Sequence, residues 1–227
     1  MIAAISIFTS IIGSLLLYRI NNSMRFRLLF QSRRNGNISF TGIFLFNKIN
    51  GFIILGLIPG ILVFAFFPIS PAEVGLSFGL NNVYWYLPGI LLIVVVTNYF
   101  LASNPDTFSR YPEMRFKEWT KARIAVTAVG WTIYLLGYEF LFRGLLFFSV
   151  YHSFGLLASL AVNVIIYSLV HLPKGKAEMI GAIPFGILLC CMALLTNSII
   201  LPFLIHLSLA LSTDYFSIHY NPKMKLV

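Results

Sequence analysis

The chain has 227 residues, of which 59% are hydrophobic and only 10% charged, with a mean hydropathy of +0.87; soluble domains carry about 25% charged residues. A soluble globular enzyme is excluded. Each membrane-spanning helix takes about 20 mostly apolar residues plus a connection, so the length suits one polytopic all-α bundle over 1–227, a single integral membrane domain. The formal net charge of +9 would suggest a nucleic-acid partner in a soluble protein. Here orientation in the bilayer and contact with anionic lipids explain it, and no nucleic acid is expected.

Apolar runs fall at about 2–18, 51–67, 85–101, 124–150, 156–171, 179–195 and 198–218, which predicts seven spans. No basic residue precedes the first run and no small-x-small cleavage pattern follows it before Arg19, so it reads as a retained span. Threading the chain back and forth places Arg19, Arg25, Arg27, Arg33, Arg34 and Lys48 in the first connection and Arg110, Arg115, Lys117, Lys121 and Arg123 in the third. Lys174 and Lys176 fall in the fifth, and Lys223 and Lys225 in the tail. Fifteen of the 16 basic residues thus share one side, and segments 68–84, 151–155 and 196–197 have none. The positive-inside rule then sets the N-terminus outside and the C-terminus in the cytoplasm. The mixed stretch Phe108 to Arg123 reads as an interfacial amphipathic helix starting near Pro112. Cys190 and Cys191 are adjacent and form no ordinary disulfide with each other.

A charge inside a span costs about 2.5–3.5 kcal/mol on the lenient insertion scale, so each needs a reason. Glu139 and Arg143 are four apart and stack on one helix face. His171 ends the fifth run, and His206 and Asp214 lie in the seventh. Glu139 precedes Gly155 by 16 residues and His171 follows it by 16. At 1.5 Å per residue both are about 24 Å from that turn, and they are expected to face each other. His206 lies about 14 Å from the turn at Asn197 and Asp214 about 26 Å, so depth favours Asp214 as a rival partner for Glu139.

The segment Tyr138-Glu139-Phe140-Leu141-Phe142-Arg143-Gly144 resembles the first motif of the CAAX-protease and bacteriocin-processing (Abi) family of intramembrane proteases, Glu-Glu-x-x-x-Arg. Tyr167 to His171 resembles the second, Phe-x-x-x-His, and His206 to Ala210 the third, His followed four residues later by Asn or Asp. The family-like core covers about Arg110 to Ser217. Tyr138 stands in place of the first glutamate, Tyr167 in place of Phe, and Ala210 in place of the polar residue. The resemblance implies an endopeptidase of the bacterial plasma membrane, acting near the cytoplasmic face on a membrane-associated peptide or protein. In it Glu139 activates water, His171 holds that water, His206 stabilises the oxyanion, and Arg143, Tyr138 and Tyr167 support them. No cofactor is implied; zinc held by His171, His206 and Glu139 is the formal alternative. A family-fold scaffold or bacteriocin-immunity protein without catalysis is the competing function, and a transporter, disfavoured for want of inverted repeats, the third.

Overall fold

In lipid, backbone N–H and C=O groups must be bonded within the protein, and all seven apolar runs are helical. The computed structural model describes residues 1–30, 39–78 and 82–227; Arg33 and Arg34, counted above in the first connection, lie outside them. The helices are α1 (Ile2–Asn21), α2 (Phe40–Phe66, with a widened π turn at Ile53–Leu57), α3 (Leu87–Ala102), α4 (Lys121–Glu139), α5 (Phe147–Leu169), α6 (Lys176–Thr196) and α7 (Ile200–Tyr220). A second π turn, Phe140–Leu146, joins α4 to α5.

Among the described residues six stretches are long and apolar enough to cross a membrane, against the seven expected. The difference lies in Lys121–Lys174, 54 residues of helix that contain both the fourth and fifth runs. Helical geometry breaks at Gly155 (φ 82°, ψ 179°), a conformation open to glycine because it has no Cβ. The chain folds back there: Asn163 reaches the Phe142 carbonyl, and the Tyr167 ring lies 5.8 Å from that of Phe142. The turn therefore falls where the sequence placed it, and the protein is a polytopic, integral membrane helix bundle.

Two expectations are corrected. The second helix begins at Phe40, not at 51, because the Ser39 hydroxyl caps it by accepting from Gly42 N–H at 3.1 Å; Lys48 thus lies inside α2, 4% exposed, rather than in a connection. The stretch 108–123 forms no interfacial helix. A short helix, Pro105–Arg110, ends within its first three residues, and strand β1 (Glu118–Trp119) pairs in parallel with β2 (Lys225–Leu226). Met114 and Trp119 are each 1% exposed; burying them inward defeats a surface amphipathic helix.

Helix α2 runs parallel to α4, with Gly51 against Tyr134 and Gly60 against Phe140. At the crossing a Cβ on Gly56 would stand 2.6 Å from Gly137 Cα, and one on Gly137 would stand 2.9 Å from Phe52 Cα. Small residues here bring the backbones together, which in a bilayer is a main source of helix association. Helix α3 is tied to α7 by Asn98, whose amide donates to Leu209 O, Ser212 Oγ and Thr213 Oγ1 at 2.8–3.0 Å. At one end of the bundle Arg110 donates to the Lys174 carbonyl and Asn221 to that of Phe108, so the basic connections gather. At the other end Ile199 N–H donates to Gly75 O at 2.9 Å.

Two outcomes follow from this packing. Gly137→Val should cost about 1–3 kcal/mol through overpacking, read as a lowered thermal midpoint in detergent. With Cys190 and Cys191 replaced by alanine, single cysteines at Ala72 and Lys223, both exposed and at opposite ends of the bundle, should label from opposite sides of the membrane, Lys223 from the cytoplasm.

Candidate active site

Glu139 is the last residue of α4, and Arg143 lies in the π turn that follows. Widened turns of this kind recur at functional sites. Both side chains are 0% exposed, and Arg143 Nη1 lies 3.4 Å from Glu139 Oε1. The same oxygen meets His206 Nδ1 at 2.5 Å, across from α7. Since a carboxylate flanked by a guanidinium only accepts, Nδ1 carries the proton, and in the neutral imidazole His206 Nε2 keeps the lone pair. Glu139 Oε2 and Arg143 Nε and Nη2 have no hydrogen-bond partner among the described residues.

Aromatic rings wall this cluster. Tyr138 stacks on Phe142 at 4.5 Å and stands edge-on to His206 at 5.7 Å. The Arg143 guanidinium carbon is 4.1 Å from the Tyr167 ring centre, a favourable cation–π placement. His171 packs against Tyr167, ring centres 4.7 Å apart, and its Nδ1 donates to the Tyr167 carbonyl at 2.7 Å. Its Nε2 is therefore also a lone-pair acceptor.

The sequence-based register argument placed His171 on Glu139 and preferred Asp214 to His206. The structure seats His206 on Glu139 and gives Asp214 to Trp131, whose Nε1–H donates to Oδ2 at 2.7 Å. The depths differ because the two turns are not level. Ile199 lies beside Gly144, well before the chain reaches Gly155, so the tip at Gly155 projects beyond the turn at Asn197. That projection has the direction of the mismatch that had set His206 aside.

Sequence reading passed over a second charge group, built on the buried Lys48. Lys48 Nζ pairs with Glu113 at 2.9 Å and sits over the Trp131 ring, 3.1 Å from its centre, with Phe44 and Tyr134 beside it. Burial alone would raise the Glu113 carboxyl, but Lys48 and Lys174 outweigh it and hold the group below the usual carboxylate range. Burial pushes the neighbouring Tyr111 phenol up to about 12. The Ser39 cap and the apolar residues on both sides of Lys48 were the available signal; nothing local marks Glu113. Asn163, which donates to Phe142 O at 2.5 Å and accepts from Cys190 Sγ at 3.2 Å, was visible as an amide inside a span. Cys190 and Cys191 are free thiols. Among the described residues no three His, Cys, Asp or Glu side chains are grouped to share a metal ion.

Residues 118–211, which hold every member of this cluster, match the family model described as type II CAAX prenyl endopeptidase Rce1-like. The site-bearing segment is thus similar to the CAAX-protease family. No curated protein and no solved structure matches the chain. The matched stretch falls within the 110–217 core read from the motifs, and the three motifs of the CAAX-protease family converge on the Tyr167 ring.

The buried pair sets a stability test. Arg143→Leu leaves Glu139 uncompensated and should cost about 3–5 kcal/mol, measured by unfolding in detergent. The double variant Glu139→Gln with Arg143→Leu should recover much of that loss.

Proposed function

We propose that this protein is an intramembrane endopeptidase of the bacterial plasma membrane, hydrolysing a membrane-associated peptide or protein near the cytoplasmic face. Its basic connections lie against anionic lipid headgroups. The observation that carries the reading is the 2.5 Å contact between Glu139 and His206. Glu139 is wholly buried, whereas the His206 side chain keeps 12% of its surface, so His206 is the member of the pair that substrate and water meet.

The proposed chemistry assigns the proton differently from the motif-based expectation. Water donates one hydrogen to His206 Nε2 and the other to His171 Nε2, which leaves an oxygen lone pair to attack the peptide carbonyl. His206 takes the proton as the C–O bond forms, and passes it to the leaving amine nitrogen as the C–N bond breaks. Glu139 holds the imidazole in the required tautomer and stabilises the imidazolium, the part a buried carboxylate plays in other hydrolases. Arg143 keeps Glu139 ionised, and its planar fork does this in a way Lys does not reproduce. Tyr138, at the position of the motif's first glutamate, is a poor base near neutral pH with an ordinary phenol pKa of about 10; the Glu139–His206 dyad replaces that function.

Peptide-library cleavage by the purified protein tests this. Glu139→Gln and His206→Ala should each lower the rate about 10²–10⁴-fold, and the double variant no further, because the two act as a unit. Glu139→Gln also leaves the buried Arg143 without its counter-charge and should lower the thermal midpoint, so its rate is compared on protein shown to be folded. The competing scaffold or immunity reading draws on Tyr138 and Ala210, where the motifs lose polar groups. No hydrolysis by the folded wild type would establish it instead.

A further inference from the structure

Asp214 is left unused by this chemistry, yet it is 3% exposed and makes a 2.7 Å hydrogen bond to Trp131. Trp131 lies eight residues before Glu139 on α4, and Asp214 lies eight after His206 on α7. The two contacts are therefore rungs of one antiparallel register, about 12 Å apart along the helices. Between them stand Leu135 and Ala210, which pack in the same core cluster. Ala210 offers no polar group, so the apolar packing there tolerates sliding better than a directed bond does. The face of the Trp131 indole carries Lys48, itself paired with Glu113. Trp131 is thus held by α2, by the loop before α4 and by α7 together.

A shift of α7 by one residue moves each side chain about 1.5 Å and turns it by about 100°, which would separate both rungs at once. We infer that the Trp131–Asp214 hydrogen bond is a register clamp that seats His206 on Glu139, making Trp131 and Asp214 positioning residues. The catalytic consequence rests on the peptidase reading; the register itself does not.

The test separates the two. Cysteines at Leu135 and Ala210 are oxidised in membranes and the 135–210 disulfide is quantified by peptide mass mapping, with the native thiols left in place. Trp131→Phe, which keeps an aromatic face but removes the donor, and Asp214→Leu should each lower the yield at least threefold; Asp214→Asn, which keeps an acceptor, should restore it. Without the added cysteines, the first two variants should lose at least tenfold in kcat with KM within threefold, and Asp214→Asn should recover most of kcat. Undiminished cross-linking in Trp131→Phe and Asp214→Leu would overturn the clamp, as would equal loss in Asp214→Asn. Absence of hydrolysis by the wild type, with the cross-linking pattern as expected, would defeat the peptidase reading and leave the clamp standing.

Discussion

A carboxylate with no exposed surface, inside a lipid-embedded bundle, has to be neutralised by its own protein. Glu139 meets this demand with Arg143 one turn along and His206 from another helix, and much of the architecture serves that arrangement. The π turn carries Arg143, Asn163 holds the π turn through Phe142 O, and Cys190 holds Asn163. Close approach of α2 at Gly56 and Gly137 backs the same segment from behind. Low dielectric makes each link strong when complete and expensive when broken, so the cluster and the fold around it stand or fall together.

The same constraint divides the roles of the polar groups. Those wholly enclosed, Glu139 and Arg143, pair with one another through Oε1 and Nη1, while His206 and His171 keep some surface and a ring nitrogen with a free lone pair. The Tyr167 ring lies 4.7 Å from that of His171, 6.3 Å from that of His206 and 4.1 Å from the guanidinium carbon, which makes it the common wall of the site. Toward the basic end, Lys48, Glu113, Trp131 and Asp214 repeat the pattern of a buried charge held by an aromatic face and an opposite charge. Two polar layers on the same pair of helices, α4 and α7, give that pair a directed register that apolar contacts alone do not supply.

Composition and periodicity were enough for the all-α membrane bundle, the seven helical runs, the retained charge pair and the reversal at Gly155, because each depends on properties local in sequence: apolar length, i to i+4 spacing and a residue free to take positive φ. The three motifs likewise marked the segment that matches the CAAX-protease family. What the tertiary structure alone decided was which histidine meets Glu139, where Asp214 goes, and that the buried Lys48 pairs with Glu113. Depth counted from turns assumes that the turns are level, and the hairpin tip at Gly155 is not level with Asn197. A pairing such as Lys48 with Glu113 joins positions 65 residues apart, and no local pattern encodes it, since it exists only once α2 and the loop before α4 are packed against Trp131.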